Sequence, residues 1–348
     1  MKSILIIKTS AIGDIIHTFP VLEYLRARFP EACLDWVVEK GSADLLKRHP
    51  FIHKVILVDT KSWRKNLLKP FMWGQFKAFK KELQETHYDV LFDLQGNCKS
   101  ALITLLASAK DKVGYSFATV REKPNAFVTN KRFTAQKGVG VREGYLQVVK
   151  QYFKESYVNF PKRAKLRLNE EEKGRLDSIL NKKALQFMVA FGSKWENKRL
   201  SEAVLREFLA KIHQAFSPSF IFIWADAEEK AMAERLEKHF ANSFTLGNLS
   251  LPLWQAVMDE VAQVIAMDSA ALALCGTTNT PSFSVFGPSS APVYKPSEDK
   301  HVTFQGTCPY GKVFEERCPI LRTCKTGACI KNITPDALFK AFLKSYNL

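Results

Sequence analysis

The sequence predicts an α/β protein made of two doubly wound parallel sheets. Short β-branched apolar runs alternate with amphipathic helical patterns, as βαβ units require. That alternation begins twice, at residues 4–7 and again at 187–191. A chain of 348 residues is also too long for one ordinary core, so two domains are expected.

Residues 4–7, Ile-Leu-Ile-Ile, are β-branched at three of four positions and suit a buried strand. Lys8 to Gly13 reads as a turn, and Ile15, Ile16, Phe19, Leu22 and Leu25 give one apolar face to a helix over 15–27. Strands at 34–38, 54–58 and 90–93, with helices at 43–47, 76–86 and 99–108, complete the first half. Charge then crowds into 159–183, in Pro161-Lys162-Arg163-Ala164-Lys165 and Asn169-Glu170-Glu171-Glu172-Lys173. This is the expected passage between domains, with a polar helix capped by Asn169. The second half offers strands at 187–191, 220–224, 243–245, 264–267 and 282–286. Helices at 202–215, 228–239, 253–261 and 270–275 alternate with them. A last helix at 335–346 has Thr334 as its cap and Pro335 in its first turn. The expected domains are therefore 1–165 and 184–333, with a terminal helical segment at 334–348.

Composition narrows the classes. With 46% hydrophobic and 25% charged residues the chain reads as a soluble globular protein. No apolar run approaches the roughly 20 residues of a membrane span. Lys8 and Asp14 interrupt any signal-peptide core, so a cytoplasmic location is expected. A net charge of +16 favours anionic partners. No zinc finger, RNP-like aromatic motif or helix-turn-helix pattern is evident, so nucleic acid is not expected. The charge concentrates in Lys61, Arg64, Lys65, Lys69, Lys77, Lys80 and Lys81, interleaved with Trp63, Leu67, Leu68, Phe71, Met72, Trp73, Phe76 and Phe79. Cations and interfacial aromatics together suit peripheral contact with a phosphorylated lipid surface. An ordinary helix with a solvated basic face fits equally, and Pro70 predicts two short pieces.

Of seven cysteines, Cys33, Cys98 and Cys275 lie among apolar or small residues and are expected to be buried thiols. Cys308, Cys318, Cys324 and Cys329 cluster at spacings of nine, five and four residues. In a reducing compartment such a cluster suits metal or plain thiols, although no C-x2-C pair supports zinc. They are weak candidates for metal ligation.

Polar segments follow five of the predicted strands. Lys8-Thr9-Ser10-Ala11-Ile12-Gly13-Asp14 follows the first, and Asp93-Leu94-Gln95-Gly96 follows the fourth. In the second half come Gly192-Ser193-Lys194-Trp195-Glu196-Asn197-Lys198-Arg199, then Trp224-Ala225-Asp226-Ala227-Glu228-Glu229, then Asp268-Ser269-Ala270-Ala271. Open α/β sheets bind ligands at these carboxyl ends. Each segment alone also serves as a turn or cap: Asp14 suits a helix start, Glu228 and Glu229 a first helical turn, and Gly96 a turn end. No G-x-G-x-x-G follows either leading strand, which argues against a dehydrogenase.

Taken in order, K-T-S-A-I-G-D, D-L-Q-G, G-S-K-W-E-N-K-R, D-S-A-A and Phe286-Gly287-Pro288-Ser289 resemble the ADP-heptose:lipopolysaccharide heptosyltransferase family. The resemblance covers nearly the whole chain and implies a GT-B fold, two Rossmann-like domains facing a cleft. It implies an inverting glycosyltransferase that moves a heptose-like sugar from an ADP-sugar to a lipopolysaccharide inner-core acceptor, with no cofactor required. By it Asp14 is the general base. Ser193, Lys198, Glu229, Asp268, Ser269 and the backbone of Ala270 and Ala271 bind the donor. Lys8, Arg64, Lys65 and Gln95 face the acceptor. The sequence departs from the family at Leu200, where tryptophan is usual, at Ala270, where glycine is usual, and at Ala273, where histidine is usual. The residues leave open a GT-B transferase of another nucleotide sugar, or a non-catalytic nucleotide- or glycan-binding relative.

Overall fold

The computed structural model describes residues 1–66, 69–155, 163–180 and 184–345. Leu67, Leu68, Asn159, Pro161, Lys162, Lys183 and Tyr346, all within features singled out in the sequence, lie outside the described residues. The chain divides into two compact units, Met1–Arg167 and Leu168–Leu348.

In the first unit the described strands are β1 (Ser3–Ile7), β2 (Cys33–Glu39), β3 (Lys54–Val58), β4 (Tyr88–Asp93), β5 (Ala109–Tyr115) and β6 (Lys131–Phe133). They form one parallel sheet in the order β3-β2-β1-β4-β5-β6. Its helices are α1 (Ile12–Ile16), α2 (Phe19–Arg28), α3 (Ala43–Lys47), α4 (Thr60–Lys65), α5 (Pro70–Gln84), α6 (Cys98–Leu106) and α7 (Val141–Phe153). Ile4 to Ile7 are fully buried, because a central parallel strand has both faces covered. Leu5, Ile7, Val37, Ile56, Val58, Phe79, Leu83 and Leu91 share one core cluster.

The second unit repeats the plan with β7 (Gln186–Ala190), β8 (Ser219–Trp224), β9 (Phe244–Gly247), β10 (Gln263–Met267), β11 (Ser282–Phe286) and β12 (His301–Gln305), ordered β12-β11-β10-β7-β8-β9. Its helices are α8 (Glu170–Ile179), α9 (Glu202–Phe216), α10 (Ala227–Glu237), α11 (Leu251–Glu260), α12 (Ala270–Cys275), α13 (Ala291–Tyr294), α14 (Ala328–Lys331) and α15 (Pro335–Ser345). Asn169 does cap α8: its side chain accepts from the Glu172 N–H, while Glu172 reaches back to the Asn169 N–H, both at 2.8 Å. Phe342 of α15 packs on Phe187, Phe208 and Phe283, which ties the terminal helix to the core of this unit.

Several expectations need correction. The helix foreseen over 15–27 is two helices, α1 and α2. Pro20 has no N–H to continue the first ladder, and the Thr18 hydroxyl takes the Asp14 carbonyl instead, at 2.9 Å. The basic segment is two helices, as Pro70 predicts, but the second is not short: Pro70 opens α5, a helix of fifteen residues, because the first turn needs no donor there. Cys98 is exposed rather than buried, since it opens α6 with its N–H bonded to Glu122, and Cys33 is only half-buried. Strands β5, β6 and β12 and helix α7 had no counterpart in the sequence reading.

The basic aromatic segment divides between its two readings. Trp63 stacks edge to face on Phe76 and Phe79, and through Trp63 and Phe79 the segment joins the core. Phe71 and Trp73 remain 50% and 53% exposed beside Lys69 and Lys77.

Candidate active site

In each unit the strand order reverses once, between β1 and β4 and between β7 and β10. Those switch points are where loops leave the sheet in opposite directions and a crevice opens. The segments singled out after β1, β4, β7 and β10 flank them.

In the first unit the anchor is Asp93, a fully buried carboxylate at the end of β4. It accepts the N–H groups of Gln95 and Gly96 at 3.0 Å, the Thr104 hydroxyl at 2.9 Å and the Asn125 amide at 2.6 Å. Gly96 completes the turn with φ of 67°, the left-handed region glycine occupies most readily. Gln95, held there and itself buried, turns its Oε1 to the β1 loop. That oxygen accepts the N–H of Thr9 at 2.9 Å, the N–H of Ser10 at 3.1 Å and the Thr9 hydroxyl at 3.2 Å.

Asp14 lies half-buried in α1, and its Oδ2 accepts the Ala11 N–H at 3.3 Å. Tyr115, at the end of β5, is close enough to sense two carboxylates. Burial, then Asp93 and Asp14, push its phenol above the usual range. No motif in the sequence marked Tyr115, although a Gly-Tyr pair ending a strand is a usable signal. Lys8 is 4% exposed. Its ammonium donates to the Leu94 carbonyl at 3.2 Å and the Tyr145 hydroxyl at 2.8 Å. Arg64 and Lys65 lie exposed in the last turn of α4.

In the second unit three of the named residues meet directly. The Ser193 hydroxyl donates to the Asp268 carbonyl at 3.3 Å. The Lys198 ammonium pairs with Asp268 Oδ2, with side chains only 9% and 14% exposed. Ser269 stands just ahead of α12, and its hydroxyl is buried with no hydrogen-bond partner among the described residues. Ala270 is half-buried behind it, and Ala271 and Ala273 are buried.

Glu229 reaches the same region from β8. Its Oε2 accepts the Ala225 N–H at 2.9 Å, and Asp226 caps its own N–H at 2.9 Å. Burial raises its carboxyl above the usual range. A Cβ at Gly192 would collide with this carboxylate, so a larger residue there would push Glu229 out of its present position. Glu228, one residue away, is exposed. Arg199 links both loops: it donates to the Ser193 carbonyl at 2.6 Å and lies 3.4 Å from Glu229. The sequence reading gave Arg199 no role.

The four clustered cysteines line one cavity of about 20 Å³ together with Asn197, Pro288, Tyr310 and Leu321. Burial, and then Cys308, Cys324 and Cys318, push the Cys329 thiol up to about 11. Among the described residues no group of three or more His, Cys, Asp or Glu side chains is placed so that it could hold a metal ion, the four cysteines included.

Two doubly wound units, each carrying polar groups at its switch point, make up the GT-B fold. Residues 76–323 match the model of glycosyltransferase family 9 (heptosyltransferase), and the chain belongs to that family. Lipopolysaccharide heptosyltransferase 1 of Pseudomonas aeruginosa is 28% identical over 291 residues, covering 82% of this chain and 79% of that protein. Its counterpart in Escherichia coli K12 is also 28% identical, over 82% of this chain and 88% of its own. Among solved structures, E. coli heptosyltransferase WaaC with ADP-2-deoxy-2-fluoro heptose gives a TM-score of 0.77 at 24% identity, over 99% of both chains. A family 9 glycosyl transferase from Veillonella parvula gives 0.80 at 17% identity, over 99% of this chain and 97% of its own. The chain is thus a glycosyltransferase. Among its described residues no helix is long and apolar enough to cross a membrane.

Proposed function

We propose that the chain transfers a heptose from ADP-heptose to the core of a lipopolysaccharide acceptor, with inversion at the anomeric carbon. The observation that carries this reading is the buried Lys198–Asp268 pair beside the unpartnered Ser269 hydroxyl, at the switch point of the second unit. A diphosphate takes the ammonium and the hydroxyl donors of Ser193 and Ser269, and the N–H groups of Ala270 and Ala271 lie in the same segment. Asp268, released from Lys198, accepts from sugar hydroxyls, and Glu229 accepts from the ribose. The Pseudomonas and Escherichia relatives are lipopolysaccharide heptosyltransferases, and the WaaC structure holds ADP-2-deoxy-2-fluoro heptose.

Asp14 takes the proton of the acceptor hydroxyl as that oxygen attacks the anomeric carbon from the face opposite the diphosphate. Lys198 meets the charge that builds on the departing ADP. No added metal cofactor is then needed, and turnover continues in buffer without added divalent cation. Arg64 and Lys65 suit anionic groups of the acceptor. Lys8 and Gln95 act by shaping the β1 loop, because their polar atoms are engaged inside the unit. Exposed Phe71 and Trp73 among lysines suit peripheral contact with an anionic membrane surface, where a lipid-linked acceptor would be met on the cytoplasmic side.

The test is transfer to heptose-free lipopolysaccharide, read as a mass gain of one heptose, against a panel of ADP-, UDP- and GDP-sugars. Product from ADP-heptose alone supports the reading. Product only from another donor replaces it with a different transferase, and binding without turnover replaces it with a non-catalytic relative.

A further inference from the structure

Arg199 closes the loop that follows β7 and then reaches past it. A short turn at Glu196–Lys198 brings the chain back on itself. The Lys198 N–H donates to the Trp195 carbonyl and the Arg199 N–H to the Glu196 carbonyl, both at 2.9 Å. From there Nε of Arg199 donates to the Ser193 carbonyl at 2.6 Å, tying the two ends of the Ser193–Arg199 segment together. The outer nitrogens of the same guanidinium lie 3.4 Å from Glu228 and 3.4 Å from Glu229. These carboxylates differ. Glu228 is exposed, so its pairing contributes little. Glu229 is buried, and its Oε2 is already held by the Ala225 N–H at 2.9 Å. Arg199 meets the other oxygen, Oε1.

The Glu229 carboxylate is therefore fixed at both oxygens, once from its own loop and once from the neighbouring one. Its other charged neighbours, Asp226 and Glu228, are both of its own sign and work with burial against its ionised form, while Arg199 works the other way. A guanidinium suits this double task. Its donors sit in a rigid planar fork, so a carbonyl and a carboxylate can be served together.

We infer that Arg199 is a positioning residue for recognition of the donor's ribose: it holds Glu229 in place across the gap between two loops, so that the carboxylate can accept from the ribose hydroxyls. This rests on the reading that Glu229 binds the ribose. Arg199 itself touches no part of the donor in this scheme. Without it, Glu229 keeps one anchor and swings away from its repelling neighbours, and the ribose loses its acceptor.

The test titrates the full chain calorimetrically with ADP and with 2′,3′-dideoxy-ADP, which lacks both ribose hydroxyls. The readout is the ratio of the two affinities. Any general loosening of the diphosphate-binding loop lowers both affinities and cancels in that ratio. Wild type should favour ADP by about tenfold to hundredfold, the effect of a hydrogen bond to a charged group. Glu229→Ala and Arg199→Met should both bring the ratio close to one. Should Arg199→Met fail to fold, Arg199→Lys carries the test, because it keeps the charge and lacks the fork. Its ratio should fall severalfold below that of wild type. A ratio that Glu229→Ala abolishes and the Arg199 variants leave at the wild-type level overturns the inference alone. A wild-type ratio near one overturns the ribose reading of Glu229, and the inference with it.

Discussion

Replacing Lys198 by methionine tests the second switch point most directly. The change keeps the length of the stem and removes the ammonium, leaving Asp268 as a carboxylate only 14% exposed with its cation gone. Removing one partner of a buried pair costs about 3–5 kcal/mol, because the remaining charge stays desolvated. For a unit of this size each kcal/mol moves the melting temperature by about 2–4 °C. Lys198→Met should therefore lower the second unit's transition by roughly 6 °C or more. Lys198→Met/Asp268→Leu should recover most of that loss, since no charge is then stranded. ADP at a hundredfold excess over its Kd adds about 2.7 kcal/mol to the wild type, and both variants should lose most of the corresponding rise. Differential scanning calorimetry of the wild type and both variants, with and without ADP, measures these quantities. A Lys198→Met melt within 2 °C of wild type, together with an undiminished ADP-induced rise, would refute the reasoning.

Asp14→Asn should lower the transfer rate by about 10²–10⁴-fold while leaving the ADP-induced rise in melting temperature unchanged; retained turnover removes Asp14 from the chemistry. Gln95→Leu leaves the N–H groups of Thr9 and Ser10 without their acceptor. It should reduce kcat with little effect on donor binding, and an unchanged kcat would show that the loop holds itself. His49 is buried between Phe19 and Phe51, and burial holds its imidazole down to about 3. Its unfolded-state value is 6.5, so the neutral ring supports the fold fully above that pH. The support is lost as pH falls from 6.5 toward 3, by up to roughly 1.4 kcal/mol per pH unit. Urea midpoints for His49→Phe should fall less steeply than wild type between about pH 6 and pH 4, and parallel slopes would contradict the assignment. Trp73→Ser, paired with Phe71→Ser, should weaken sedimentation with anionic vesicles severalfold, and equal binding would place the membrane contact elsewhere.

The central strands could be read directly because they are apolar on both faces. β3 and β11 begin and end where the sequence placed them, and their neighbours differ by one or two residues. What escaped were strands whose composition is not apolar. Ala109–Tyr115 carries Lys110, Asp111 and Lys112 on partly exposed positions, and His301–Gln305 lies at the sheet edge, where one flank needs no burial. The α1–α2 break was hidden because Ile15, Ile16, Phe19 and Leu22 keep a helical period across a proline.

In the candidate site, the family resemblance named Ser193, Lys198 and Asp268 as donor-binding residues, and the structure brings the three together. Spacing did not show that Lys8 turns inward, since burial of a lysine depends on Tyr145 and Leu94, residues distant in sequence. Nor did it show Tyr115, which belongs to a strand the pattern had not revealed.

The β1 loop is gripped by its amide groups, through one glutamine oxygen that a buried aspartate keeps in place. Nothing in that grip depends on the side chain at Ser10 or Ala11, both of which point to solvent. Those positions can change identity without shifting the Asp14 carboxylate further along the loop. Related chains can thus vary at the loop's exposed tip while its backbone stays where the glutamine holds it.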